Sequence, residues 1–187
     1  LVGRLIYLTN TRSDLTFAVS VVRQFMHSPH TSHLDVVYHI LRYLKSCPGL
    51  GLFYQSGVQS GLSCFTDADY AGSKSDRRYT SDFCTFHGSH LISWKSKKQA
   101  VVSRSSAEAE YRDMAQGTSE ILWLRSLLTE LGFSVTDSSY LFCDNKSAIM
   151  LSSDSVLHER TKHIEVDIHF IREKVRSGII TPNFVPS

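Results

Sequence analysis

Two apolar, strand-forming runs that end in bare carboxylates constrain this chain more than any other feature. "FTDADYAG" (65–72) carries the end of one such strand into Asp67 and Asp69, and the strand in "SYLFCDN" (139–145) runs into Asp144. Side chains on a strand alternate with period two, so Asp67 and Asp69 leave it on one face. Unpaired charge at the tip of a buried strand is costly and needs a reason. Between the runs lies a long helical stretch, about 106–131, opening "SSAEAEY". Its apolar side carries Tyr111, Met114, Ala115, Ile121, Leu122 and Leu128, and Gly132 closes it. If the two strands are neighbours, both aspartates meet beside the first turns of that helix.

The remaining elements fit around this unit. Strands are expected at 62–67, 82–87 ("DFCTFH") and 90–94 ("HLISW"), the last two joined by a hairpin at Gly88-Ser89. After Asp144 come a short helix, a helix in "TKHIEVDIHFIREKVRSG" with a stripe of Ile164, Ile168, Ile171 and Val175, and a last strand in "IITPNFVPS". The order βββ-α-β-α-α-β predicts a mixed α/β sandwich whose antiparallel hairpins lead to a parallel pair. Residues 1–56 read as helical. "SHLDVVYHILRYLKSCPG" has Ser32 and Asp35 in capping-box spacing, a stripe at Val37, Ile40, Leu41 and Leu44, and a Pro48-Gly49 stop. An earlier amphipathic stretch runs from Ser13-Asp14 to about Met26. The linker-like "QSGVQSG" (55–61) sets the domain boundary, giving 1–56 and 57–187.

With 42% hydrophobic and 20% charged residues in 187, a packed core is affordable, and no apolar run reaches membrane-helix length. No targeting signal is seen, and without an initiator methionine the chain reads as an excised piece of something longer. The four cysteines, Cys47, Cys64, Cys84 and Cys143, form no C-x-x-C pair and read as reduced thiols. The nine histidines show no zinc-ligand spacing. Net charge is only +2, but Arg77, Arg78, Lys95, Lys97, Lys98 and Arg104 share a segment with one acid, Asp82. Such a cluster suits a phosphate backbone, and it equally suits a solvated face.

Carboxylates converging on one spot repel, and a divalent cation resolves the repulsion. Hard oxygen ligands with open water positions suit magnesium. Two such ions can activate a water and stabilise a leaving oxygen in phosphodiester cleavage. A lone aspartate after a strand is also an ordinary turn former, and Asp69 reads as a loop cap or a solvent-facing charge. Two glutamates open the helix, about 160° apart around it. Glu108 sits at the N3 position from Ser105 and can complete a capping box, which leaves Glu110 slightly favoured for the site.

At these residues the chain resembles a known family. "TDADYAG", "SWKSKKQ", "SSAEAEYR", "CDNKSA" and "HERTKHIEVDIHFIREK" are similar to the ribonuclease H region of copia-type retrotransposon polyproteins of plants. "LVGRLIYLTNTRSDLTFAVS" and "ILRYLKSCPGLGL" resemble the end of the reverse transcriptase just upstream. The resemblance implies a ribonuclease H-like fold, preceded by a small helical segment. It implies magnesium-dependent hydrolysis, at a two-metal site that also accepts manganese, of the RNA strand of an RNA–DNA hybrid. By motif, Asp67, Glu110 and Asp144 take the catalytic and metal-holding positions, with Arg77, Arg78, Lys95, Lys97, Lys98 and Arg104 along the nucleic acid. The implied partners are the hybrid and the remainder of the reverse transcriptase polyprotein. The implied setting is intracellular, in a cytoplasmic virus-like particle or the nucleus.

Trp94 reads as core rather than as a groove contact, and His158 and His163 as packing and capping residues. The chain departs from the family at Tyr79 and Asp82, where a serine and a glycine are usual, and at Ser13, where proline is common. Asp82 is expected to place a negative charge inside the hybrid-facing segment. These departures support an alternative, a non-catalytic nucleic-acid-binding remnant or scaffold. Asp167 reads as an edge charge on its helix. In the fold the resemblance implies, a fourth carboxylate begins a helix after the last strand, so the 57–187 domain is expected to be truncated there, with its second metal weakly held.

Overall fold

The computed structural model describes residues 1–57, 61–70, 78–153 and 164–186, in two compact units, Leu1–Ser56 and Gly57–Ser187. In the first unit, helices α1 (Val2–Leu8), α2 (Thr16–Arg23) and α3 (Thr31–Ser46) bury Leu5, Leu15, Val19, Val22, Val37 and Ile40 together. Leu41 and Leu44 are half-buried against them. Arg12 ties the turn before α2 to the end of α3. Its guanidinium donates to both oxygens of Asp14 at 2.9 and 2.7 Å and reaches the Cys47 carbonyl at 3.4 Å.

The start of α3 corrects one expectation. Ser32 and Asp35 lie inside the helix, whose cap is His30. The His30 N–H donates to Nδ1 of His33 at 3.0 Å, so an imidazole lone pair takes the part a glutamate plays in a capping box.

In the second unit, β1 (Leu62–Asp69), β2 (Thr80–His87), β3 (His90–Lys98), β4 (Ser139–Cys143) and β5 (Ile180–Phe184) form one sheet in the order β3-β2-β1-β4-β5. β2 runs antiparallel to both β1 and β3, while β1–β4 and β4–β5 are parallel. With α4 (Ser106–Glu130), α5 (Lys146–Ser153) and α6 (Glu165–Arg176), this is the expected ribonuclease H-like α/β architecture. β3 runs on to Lys98, four residues past its expected end, so Lys95, Lys97 and Lys98 are strand residues. Gly88 turns the β2–β3 hairpin at φ 59°.

Alternation along β1 explains the layers. Leu62, Cys64, Thr66 and Ala68 are buried, and their neighbours are not. The core joins Cys64, Leu141, Cys143 and Ile180 of the sheet to Tyr111, Met114 and Ile121 of α4 and to Ile168 and Ile171 of α6. Burying each such large apolar side chain contributes about 1.5–3 kcal/mol. The opposite face carries an aromatic row, with Phe65 stacked on Phe142 at 4.5 Å and edge-on to Phe86 at 5.7 Å.

α4 lies close on β1 because residue 117 is glycine. A Cβ there would stand 2.6 Å from Thr66 Cγ2. Gly132, at φ 86°, ends the helix as expected. Ile164, which caps α6, and Ile168 and Ile171 within it are buried, and Asp167 is half-buried at their margin. Arg77, His158, His163 and the expected helix start at 161–163 lie outside the described residues.

Candidate metal centre

The parallel pairing of β1 with β4, in register Phe65↔Phe142, brings both strand ends to one edge of the sheet. Asp67 and Asp144 line one hollow of about 410 Å³ there, with Phe65, Phe83, Cys84 and Val185. Asp144 follows the last residue of β4, and Asn145 then starts α5 by accepting the Ala148 N–H on Oδ1 at 3.1 Å. One turn therefore presents a carboxylate and caps a helix.

The first turns of α4 supply the third carboxylate, and local hydrogen bonding decides which glutamate it is. Ser105 caps the helix by accepting the Glu108 N–H at 3.2 Å. The Glu108 carboxylate accepts the Arg104 N–H at 2.7 Å and pairs with Arg112 at 3.2 Å, so it is spent on structure. Glu110 points at the strand ends instead. Its Oε1 accepts the Ala68 N–H from β1 at 3.2 Å, and its Oε2 lies 3.6 Å from the Cys143 thiol of β4. Glu110 is only 5% exposed. The ligand atoms of Glu110, Cys143 and Asp144 all lie within 4.8 Å of one another.

The electrostatics are those of crowded, dehydrated anions. Burial pushes the Glu110 carboxyl up to about 7, against the Ala68 hydrogen bond, with Asp144 and Asp67 adding repulsion. Asp67 is raised by desolvation and then by Asp144. Among the described residues no lysine or arginine pairs with Glu110, Asp67 or Asp144. A divalent cation suits the Glu110 and Asp144 carboxylates, which approach within 4.8 Å without a protein countercharge, while Asp67 stands outside that close group on the lining of the hollow it shares with Asp144.

Two acids and a thiol belong to this neighbourhood that sequence reasoning did not put there. Asp82 stands directly across from Asp67 in the β1–β2 ladder and lines the same hollow. It adds negative charge beside Asp67 while standing across from Ser96 of β3, between Lys95 and Lys97, and desolvation raises its pKa. Asp113, one turn after Glu110, is 1% exposed and held by Ser81 Oγ at 2.5 Å. Burial lifts it to about 8. Its i, i+3 spacing from Glu110 was a readable signal. The β1–β2 register was not, because a long connection separates those strands. Cys143 read only as a reduced thiol, and its contact with Glu110 depends on how α4 lies on β4.

The basic residues divide between faces. β3 pairs Lys95 with Phe83, Lys97 with Ser81 and Lys98 with Thr80. Ser81 is buried toward α4, whereas Thr80 pairs with Asp69 on the carboxylate face. Alternation thus sends Lys98 to the carboxylate side and Lys95 and Lys97 to the other. Trp94, opposite Cys84, is half-buried on the aromatic face rather than in the α4 core. Arg78 and Arg104 are exposed.

Comparison with known proteins adds descent to this geometry. No protein-family model matches the chain. It is 47% identical over 180 residues to the retrovirus-related Pol polyprotein from transposon RE1 of Arabidopsis thaliana, covering 96% of this chain and 12% of that one. The corresponding polyprotein from transposon TNT 1-94 of Nicotiana tabacum is 40% identical over 175 residues, 93% of this chain and 13% of the relative. A solved foamy viral protease–reverse transcriptase dRH, in complex with double-stranded DNA, matches with TM-score 0.58 at 11% identity. That match covers 100% of this chain and 31% of the other, and shares the fold alone. The chain spans about an eighth of the length of these curated relatives, 12–13%. With that identity along nearly its whole length, the chain belongs to the retrovirus-related Pol polyproteins of transposons.

Proposed function

We propose that the Gly57–Ser187 unit is the ribonuclease H domain of a copia-type retrotransposon polyprotein, hydrolysing the RNA strand of RNA–DNA hybrids with magnesium. The observation that carries this is the meeting of Asp67, Glu110 and Asp144 from three different elements, with no cation facing them among the described residues. Asp67, Glu110 and Asp144 would hold the magnesium. When bound, the metal supplies charge neutralisation and an activated water. The protein's own contribution is positional. The Ala68 N–H fixes one Glu110 oxygen, the α5 cap fixes the turn bearing Asp144, and the β1–β4 pairing, which ends at Phe65 and Phe142, brings the end of β1 with Asp67 to the same edge of the sheet. Lys98, with Arg78 and Arg104, would lie along nucleic-acid phosphates, whereas Lys95 and Lys97 leave β3 on the other face and drop out of that track, and RNA would be chosen through its 2′-hydroxyls and groove shape.

A second reading, hybrid binding without cleavage, is favoured by Asp82. A carboxylate directly opposite Asp67 adds negative charge where a scissile phosphate would approach. Cleavage of an end-labelled RNA–DNA hybrid, with and without magnesium, decides between them. The hydrolase reading expects RNA-strand products that disappear in Asp144→Asn. Retained binding with no magnesium-dependent product would establish the second reading.

A further inference from the structure

Glu110 is not the only carboxylate of α4 that grips the sheet. Asp113 lies one turn on, and side chains three apart on a helix are neighbours. The two reach different strands. Glu110 Oε1 accepts the Ala68 N–H of β1 at 3.2 Å, and Asp113 Oδ1 accepts the Ser81 hydroxyl of β2 at 2.5 Å. Ala68 and Ser81 are direct partners in the β1–β2 ladder. The hydrogen bonds therefore close a ring from α4 through one rung of the sheet and back to α4. The next rung of that ladder is Asp67 with Asp82. β4 gives no support at this point, because its pairing with β1 ends at Phe65 and Phe142. The rung is packed from α4 instead, where Ala109 meets Ala68 and Tyr79.

Asp113 is a poor choice for merely holding a fold together. It is 1% exposed, and its Oδ2 has no hydrogen-bond partner among the described residues. A buried carboxyl with an unpaired oxygen subtracts from stability, whereas alanine there would bury no polar side-chain atom. We propose that Asp113 is a positioning residue: through Ser81 it sets the end of the β1–β2 pair, so that the Ala68 N–H meets Glu110 and the Asp67 rung stands at the carboxylate hollow. It acts through Ser81 and not on metal or substrate. Its consequence for magnesium rests on the hydrolase reading, whereas the clamp itself does not.

The test follows the Ala68 amide of the full chain by native-state hydrogen exchange in chelator, with magnesium titrated separately by calorimetry. In Asp113→Ala, exchange at Ala68 should quicken by about fivefold, the equivalent of one net hydrogen bond. The amides of Ile121 and Leu141, in the main core, should exchange as in the parent. Half-saturation should need about fivefold more magnesium. Asp113→Asn keeps an acceptor for Ser81 and should restore both values. Ser81→Ala removes the same bond from the strand side, should reproduce the loss, and serves if Asp113→Ala fails to fold. Exchange at Ala68 that matches the parent, that quickens together with the whole core, or that asparagine does not restore overturns the inference. Hybrid cleavage separates this outcome from the hydrolase reading. A parent that cleaves, with Ala68 unmoved in Asp113→Ala, keeps the hydrolase reading and removes the positioning role. A parent that does not cleave, with Ala68 moved by alanine and restored by asparagine, removes the hydrolase reading and keeps the clamp.

Discussion

Gly117→Ala tests whether close contact between α4 and β1 sets the geometry of the second unit. The added Cβ would meet Thr66 Cγ2 at 2.6 Å, Cys64 Sγ at 3.0 Å and Leu141 Cδ1 at 3.2 Å. Ordinary carbon contacts are about 3.5–4.0 Å, so the helix or the threonine must retreat by about an ångström. Thr66 cannot swing away freely, because its Oγ1 donates to the Phe142 carbonyl at 3.2 Å and losing that bond costs about 1 kcal/mol. Overpacking of this kind costs about 1–3 kcal/mol, while alanine in place of glycine in a helix returns up to about 1 kcal/mol. Steric cost should win, leaving the variant destabilised by about 1–2 kcal/mol. Both tryptophans, Trp94 and Trp123, lie in the second unit, so their fluorescence during urea unfolding reports on that unit. Thr66→Ser removes the offending methyl and keeps the hydroxyl, so in the double variant part of the loss should return, as a coupling of at least about 0.5 kcal/mol. A Gly117→Ala protein as stable as the parent, with no coupling to Thr66→Ser, would refute the close-packing argument.

Glu110 and Asp113 have carboxyl pKa values raised to about 7 and about 8, from 4.5 and 3.8. The folded state therefore binds more protons than the unfolded one between about pH 4 and 8. Metal-free stability should fall as pH rises through that window. Urea midpoints measured in chelator from pH 5 to 8 check the sign, and Asp113→Asn should flatten the slope. In chelator, Asp67→Asn should melt at the same temperature as the parent or higher, because it removes one of several repelling carboxylates. A fall of several degrees by calorimetry would make Asp67 structural instead. Lys98→Ala should lower the log–log salt slope of hybrid binding by about 0.9, the value for one lost phosphate contact on B-form DNA. An equal slope in fluorescence anisotropy would take Lys98 off the nucleic-acid face.

The sequence alone determined what depends on local periodicity and local capping. Alternation in "LSCFTDAD" and "SYLFCDN", the 3.6-residue stripe from Tyr111 to Leu128, and the glycines at 88 and 132 gave the order of elements, the carboxylate-tipped strand ends and the α/β class. Even local signals failed where two caps competed, as at α3, where His30 and His33 displaced the Ser32–Asp35 pairing. What pairs at long range was decided by the tertiary structure. The β1–β2 register put Asp82 against Asp67, and the strand alternation of β3 split the lysines between two faces. The docking of α4 on β1 and β4 turned Glu110 inward, buried Asp113 beside it and brought Cys143 into contact. The physical reason is the same in each case. A one-residue shift of register or a small rotation of a helix leaves every local pattern intact while changing which side chains meet, and only burial of the whole core selects among those alternatives.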